Sequence, residues 1–278
     1  MSFGPNPWHQ TNWDFRAAFN FIFGGAGAGL LVAAALSGAS GNALRGVILI
    51  GMALIGAGLI SVWFEIGRPL RAMNVGFNPF TSWMTRESFA AGLVFVLGLA
   101  AVWLASHPLA QAAAAAALVF AYCQGRILQA AKGIPAWRVP ALIWLIFTTG
   151  LTEGAGLFVA LVALLDMPAR GVLAYFSLAL IARALAWSIY RGGAAKGVVR
   201  TALAVLDRAG KILIQFGTLA PLALLLVAWF APEVGRIAVA LAGLAALATG
   251  WQFKFVLITR AAYNQGFALP HLPVRGTR

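Results

Sequence analysis

Apolar residues occupy the chain in long blocks separated by short polar segments. A helix that spans a bilayer needs about 20 consecutive, mostly apolar residues. Eight stretches are long enough, at residues 15–36, 46–64, 88–106, 109–128, 140–165, 171–190, 212–230 and 236–258. The fourth is alanine-rich and only mildly apolar, which favours a helix packed inside a bundle. The pattern predicts an all-α integral membrane protein with eight transmembrane helices.

Composition supports this fold class and limits the chemistry. The chain is 62% hydrophobic and 10% charged, whereas soluble domains carry about 25% charged residues. The N-terminus lacks the basic region of a cleavable signal peptide, so we expect the first span to be retained. A single cysteine, Cys123, excludes an internal disulfide and an iron–sulfur cluster held by this chain alone. His9, His107 and His271 fall in predicted tails or loops, so we expect no haem in this chain.

Basic residues collect in alternate loops. One end of the predicted bundle holds Arg16, Arg68, Arg71, Arg86, Lys132, Arg138, Arg191, Lys196, Arg200, Arg208, Lys211, Arg260, Arg275 and Arg278. The other end holds Arg45, Arg170 and Arg236. The positive-inside rule then predicts a multi-pass protein of the bacterial inner membrane with both termini in the cytoplasm. The net charge of +13 therefore reports topology rather than nucleic-acid binding.

A short motif occurs twice, as GAGLLVA at 27–33 and GAGLFVA at 154–160. An offset of four helices preserves chain direction, so the motif suggests a parallel repeat of two four-helix bundles, at 1–135 and 136–278. Small-residue packing faces also look alike in unrelated membrane proteins, and that explanation stays open.

The segment between the second and third spans, EIGRPLRAMNVGFNPFTSWMTRE at 65–87, carries the first candidate group. We call it the cassette. Glu65 closes an apolar run, and a carboxylate at the edge of a bilayer is usually kept for a partner, a proton or a ligand. It either pairs with Arg68 or Arg71, or exchanges protons beside a bound ligand. At the same end, Asn20 needs either another helix or a ligand as its hydrogen-bond partner. Tyr122 is either an aromatic-belt residue or a phenol that donates a hydrogen bond to a ligand carbonyl oxygen.

Aromatic and charged residues leave further alternatives open. Trp8, His9, Trp83 and Trp137 either form an interfacial aromatic belt or wall a slot for a flat ring. The 192–210 segment is either an interfacial helix on anionic lipid or a docking surface. The deep charges Glu153, Arg183 and Lys254 require partners. Similar depth on neighbouring antiparallel spans favours a pair between Glu153 and Arg183, as a structural ion pair or a step in a proton path.

The order of motifs resembles a known family. GxGAGL at 25–30 is followed by ExGRPxR at 65–71, TSWMxRE at 81–87, Tyr122, and IPAW at 134–137. This order is similar to the NrfD-like family, the eight-helix membrane subunits of polysulfide reductase, and more distantly to the DMSO reductase anchor. The opening residues and the cassette also resemble chains described as the membrane subunit of phenylacetyl-CoA:acceptor oxidoreductase.

The resemblance implies partners and a cofactor. Such subunits anchor a ferredoxin-like iron–sulfur subunit and a molybdopterin catalytic subunit containing Mo or W, and they bind ubiquinone or menaquinone. The implied quinone-binding residues are Asn20, Glu65, Tyr122, Trp8 and His9, with Glu65 also exchanging protons. The implied docking residues for the iron–sulfur subunit are Arg68, Arg71, Trp83, Arg86 and Trp137. The DMSO-type anchors have a histidine where this chain has Glu65.

The expected function is a membrane anchor that passes electrons between a cytoplasmic iron–sulfur subunit and the quinone pool, in the direction of quinone reduction. The alternative is a secondary transporter or proton-translocating subunit that uses Glu153, Arg183 and Lys254.

Overall fold

The computed structural model describes residues 6–65, 74–165 and 171–266, with Leu165 described by its backbone alone. The predicted docking residues Arg68 and Arg71 lie outside these ranges. The helices are α1 Phe15–Leu36, α2 Gly41–Glu65, α3 Trp83–Leu104, α4 His107–Ala130, α5 Pro135–Arg138, α6 Leu142–Leu165, α7 Val172–Ala194, α8 Arg200–Ile214, α9 Ala220–Phe230 and α10 Pro232–Thr259. A π-helical turn, Gln215–Leu219, joins α8 to α9.

The all-helical membrane fold is confirmed for this part of the chain. Seven helical stretches are long and apolar enough to cross a membrane, and one of them runs without a break from Arg200 to Phe230. The helix α4 has 24 residues but is too weakly apolar to be counted with them. The eight-span arrangement therefore stays a prediction. The 192–210 segment is part-helical, as α7 continues to Ala194 and α8 begins at Arg200. The predicted span at 212–230 starts too late, because the helical stretch begins at Arg200.

Polar caps define several helix starts. The Asp14 carboxylate accepts the backbone N–H of Arg16 at 2.8 Å and caps α1. Ser82 and Ser106 do the same for α3 and α4 through their hydroxyl groups. Such oxygens satisfy N–H groups that have no acceptor within the helix. Between α3 and α4 only Ala105 and Ser106 intervene, so these two helices form a tight antiparallel hairpin.

Helix α1 lies at the centre of the molecule and packs against α2, α4, α6 and α10. Glycine allows its backbone to touch that of α6: a Cβ atom on Gly154 would lie 2.0 Å from the Leu30 nitrogen. Gly27 and Gly156, from the two copies of the repeated motif, approach carbonyl oxygens of α2 and α10 in the same manner. Small-residue packing thus explains the motif in each copy, and the repeat with its two bundles remains a prediction.

Candidate functional site

A cavity of about 290 Å³ lies at the end of the bundle where the cassette begins and ends. We call it the inner cavity. Its described lining comes from the N-terminal segment and helices α1 to α4: Asn12, Trp13, Ala17, Asn20, Phe21, Val62, Glu65, Met84, Glu87 and Ile127. Two carboxyl groups and two amide side chains, those of Asn12 and Asn20, thus line a space that is otherwise mostly apolar. Asn20 and Glu65 were both predicted from the sequence as ligand-facing residues, and here they line one cavity.

Asn20 belongs to a buried polar cluster with Glu87 and Gln124. The Asn20 side-chain N–H donates to the Glu87 carboxylate at 3.2 Å, and the Gln124 side-chain N–H donates to the backbone carbonyl oxygen of Asn20 at 2.9 Å. All three residues are at most 4% exposed. The side-chain oxygens of Asn20 and Gln124 accept no hydrogen bond within the described structure. Because a buried acceptor without a donor is costly, the Asn20 oxygen is a natural point of contact for a ligand hydroxyl.

A second hollow of about 310 Å³ shares Asn20, Val62, Met84 and Glu87 with the inner cavity. We call it the outer cleft. It continues between α2 and α3 along apolar residues as far as Phe95. Two of its lining residues, Ile60 and Trp63, are about half exposed on the outside of the bundle, at 50% and 48%. The polar cluster is therefore reached from the lipid-facing side through an apolar passage.

Glu65 ends α2 beside the start of α1. The guanidinium of Arg16 donates to the Phe64 carbonyl oxygen at 2.9 Å and forms an ion pair with Asp14 at 2.9 Å. The charges of Asp14 and Arg16 both act on the Glu65 carboxylate. The predicted pairing of Glu65 with Arg68 or Arg71 lies outside the described residues and stays a prediction.

Tyr122 does not join Asn20 and Glu65, contrary to the sequence prediction. Its ring packs between Trp83 and Trp144, with ring centroids 6.0 Å away in each case. Its hydroxyl accepts a hydrogen bond from Arg126 at 3.1 Å. Tyr122 lines neither the inner cavity nor the outer cleft. The physical reason is helical phase: Gln124, two positions later on α4, points to the interior, so Tyr122 points away from it.

The predicted aromatic residues are also redistributed. Trp8 and His9 pair with the C-terminal segment, where His9 forms an isolated β-bridge with Tyr263. Neither Trp8 nor His9 lines the inner cavity; the aromatic residue of the N-terminal segment that lines it is Trp13. Trp137 is 2% exposed, and its indole N–H donates to the Leu257 carbonyl oxygen. A side chain this buried cannot form part of a docking surface, so the prediction for Trp137 was wrong.

A family model described as DMSO reductase anchor subunit (DmsC) matches residues 13–244. The chain belongs to this anchor family. The resemblance inferred from the sequence is thereby confirmed, and no curated protein matches the chain. The matched region contains α1 to α9 and every described lining residue of the inner cavity and the outer cleft except Asn12.

Deep charges form a second polar cluster in this anchor-family chain, and the predicted pair between Glu153 and Arg183 was wrong. Lys254 on α10 contacts the Glu153 carboxylate at 2.6 Å and donates to the Phe21 carbonyl oxygen at 2.7 Å. The similar depth of Glu153 and Arg183 in the membrane suggested that the partner of Glu153 lies on α7. Helix α6, which carries Glu153, packs closely against α10 as well, and α10 supplies Lys254. Both charged side chains are fully buried.

Arg183 is bound by backbone and hydroxyl oxygens instead. Its guanidinium donates to the carbonyl oxygens of Ala246 and Gly217 and to the Thr218 hydroxyl. Gly217 and Thr218 belong to the π-helical turn, which frees a backbone carbonyl for this contact. A proton path through Glu153 and Arg183 remains a prediction.

Sequence reasoning missed Glu87 and Gln124 as members of the site. Glu87 lies one turn into α3, at the end of the cassette, and is 4% exposed. A carboxylate just inside an apolar span was the available signal. Gln124 offered a similar signal in the weakly apolar fourth stretch. The described residues bring no three His, Cys, Asp or Glu side chains together at metal-binding distance.

Proposed function

We propose that this chain is the membrane anchor and quinone-reactive subunit of a molybdopterin/iron–sulfur oxidoreductase. The observation that carries this proposal is the meeting of the inner cavity and the outer cleft at Asn20 and Glu87. A quinone needs an apolar route from the lipid, polar partners for its two oxygens, and a source of protons. The two hollows offer these features together, and membership of the anchor family supports the same role.

In this proposal the quinone ring lies in the inner cavity and its isoprenoid tail follows the outer cleft to the lipid. Ubiquinone and menaquinone both fit this description, since both carry two ring oxygens and an apolar tail. The ring would contact Trp13 and Phe21, which stack with a centroid distance of 6.1 Å and already present a flat wall. Apolar surroundings with a few convergent polar groups are typical of cofactor sites.

Conversion of a quinone to its hydroquinone takes up two electrons and two protons. We propose that Glu87 and Glu65 exchange these protons, with Glu65 connecting the cavity to water near Asp14 and Arg16. The Asn20 side-chain oxygen, which lacks a donor within the described structure, would accept a hydrogen bond from a hydroquinone hydroxyl. The electrons would come from a ferredoxin-like iron–sulfur subunit, since this chain offers one cysteine.

The partners are proposed to bind at the cassette end of the bundle. This end carries Arg86, and charge distribution favours its placement in the cytoplasm of a bacterial inner membrane. Soluble catalytic and iron–sulfur subunits on that side suit a dehydrogenase that delivers electrons to the quinone pool.

Quinone-dependent turnover of the purified complex tests the site. Glu87→Gln is expected to lower the quinone reduction rate about 100-fold, because a positioned acid–base group contributes on that order. Glu65→Gln is expected to lower it as well. Electron transfer from substrate to an artificial dye at the soluble subunits should stay unchanged in both variants. Glu233→Gln, an exposed carboxylate in the first turn of α10, is the matched control and should retain full quinone activity.

Tyr122→Phe separates this site from the one predicted by sequence. The variant should keep quinone turnover, because Tyr122 lies outside both hollows. Full quinone activity in Glu87→Gln together with loss in Tyr122→Phe would overturn the site assignment.

A further inference from the structure

A separate hollow of about 390 Å³ opens at the cassette end, between the start of α3, the end of α4 and α5. It is lined by Trp83, Arg126, Gln129, Ala130, Lys132 and Arg138. We call it the cationic hollow. None of these residues lines the inner cavity or the outer cleft. Three cations thus converge on one space, and two of them, Lys132 and Arg138, are exposed.

The cations around this hollow are held by aromatic rings and neutral oxygens. Trp83 lies between two guanidinium groups, with the Cζ atom of Arg86 4.1 Å and that of Arg126 4.3 Å from its ring centroid. Arg126 also donates to the Tyr122 hydroxyl, and Arg138 donates to the Gln265 side chain at 3.1 Å. These contacts position the positive charges and leave them unneutralised by the described carboxylates.

The described side-chain carboxylates all lie outside the lining of the hollow. The sequence contains seven acidic residues. Three of them form ion pairs away from the hollow, namely Asp14, Glu153 and Asp207. Two line the inner cavity, Glu65 and Glu87, and Glu233 begins α10. Asp166 lies outside the described residues. None of the six described carboxylates lines the hollow, which leaves its cations open to an anion from another molecule.

The level of the hollow relative to the lipid headgroups indicates which anion it binds. Below Trp83 a row of rings descends along the outside of the bundle through Tyr122, Trp144 and Phe147, with successive centroids 6.0 Å apart. Trp144 is 56% exposed on this lipid-facing surface. Tryptophan and tyrosine collect at the level of lipid headgroups, so the cations above them lie where phosphate groups are found. Basic pockets at this depth bind anionic lipid headgroups.

We propose that the cationic hollow binds the phosphate group of an anionic phospholipid, with Arg126, Lys132 and Arg138 as its partners. An acyl chain of the same lipid lies along the rings of Tyr122 and Trp144. This site is independent of the quinone site and gives Tyr122 a role in lipid contact.

Lipid retention by the full-length chain, purified with its accompanying subunits, tests the proposal. The complex is placed in nanodiscs of phosphatidylcholine with a minor fraction of phosphatidylglycerol, and native mass spectrometry counts the phosphatidylglycerol retained after release. Lys132→Gln and Arg138→Gln are each expected to lower the preference for phosphatidylglycerol about fivefold. Arg126→Gln should do the same, and the two exposed positions keep the test valid if that variant folds poorly.

Arg260→Gln is the matched control. It removes the same charge from an exposed position outside the hollow and outside the 192–210 segment, and it should leave lipid preference unchanged. An equal loss in the control would overturn the proposal, because it would mean that net charge alone attracts the lipid. Unchanged retention in the hollow variants would overturn it too. Displacement of the lipid by millimolar inorganic phosphate, or its exclusion by an acidic subunit over the hollow, would also contradict a lipid site.

Discussion

The buried contact between Glu153 and Lys254 allows a quantitative test of how the helices are held together. Both side chains are fully buried, and the ammonium nitrogen lies 2.6 Å from the carboxylate. Glu153→Gln removes one charge and leaves the Lys254 ammonium with the Phe21 carbonyl oxygen. Breaking a buried pair in this way costs about 3–5 kcal/mol, because the remaining charge has no counter-ion. Lys254→Met should have a similar effect.

The double variant Glu153→Gln/Lys254→Met is expected to recover most of the lost stability. It removes both charges together, and neutral replacements for a buried pair are often close to neutral in free energy. Loss of an ordinary polar contact between membrane helices costs only about 0.6 kcal/mol on average. A coupling free energy above about 2 kcal/mol therefore identifies a true buried ion pair.

The required free energies come from unfolding the unmodified chain, the two single variants and the double variant in mixed detergent micelles. Tryptophan fluorescence follows the unfolding. The partly exposed pair between Arg191 and Asp207 is the matched control, and removing it should cost less than about 1 kcal/mol. If the double variant is as unstable as the sum of the two single variants, the charges act independently. That result would refute the assigned pair.

Two further predictions concern packing and capping. Gly154→Ala should lower the free energy of unfolding by about 1–3 kcal/mol, because the new Cβ atom would lie 2.0 Å from the Leu30 backbone nitrogen; Gly46→Ala, with nothing within 4 Å, should show no such loss. Asp14→Ala should cost about 1 kcal/mol by removing the cap of α1. The hydrogen bond from Arg16 holds the pKa of the Asp14 carboxyl below its usual value, so this contribution is present above the usual pKa and is lost as the pH falls through the lowered value. Asp14→Asn should keep the cap and remove that pH dependence in the unfolding curve; an unchanged acid profile would contradict the assignment.

The sequence was sufficient to predict features that depend only on how far along a helix a residue lies. Apolar length placed the helices, and the positions of Asn20 and Glu65 at one end of the bundle brought both to the inner cavity. The span predicted at 212–230 was given too late a start, because amphipathic α8 continues into an apolar stretch and mean hydropathy marks only the second part as a span.

Helical phase was the information that the sequence lacked. The fourth helix carries an alanine run at 112–117 and only weak apolar character beyond it, so no clear apolar stripe distinguishes its inner face from its outer face. Tyr122 was therefore assigned inward while Gln124 was overlooked. The same gap explains the pair chosen for Glu153: Arg183 matched it in depth, but the direction in which each side chain leaves its helix selects Lys254 instead.

The central claim is that a quinone binds where the inner cavity meets the outer cleft. Photoactivated cross-linking with an azido-quinone in the purified complex, followed by peptide mass spectrometry, tests it most directly. We predict labelled peptides from α1 around Asn20 and from α3 around Glu87, with labelling suppressed by excess natural quinone. Specific labelling confined to α7, α9 or α10, with none on α1 and α3, would contradict the claim.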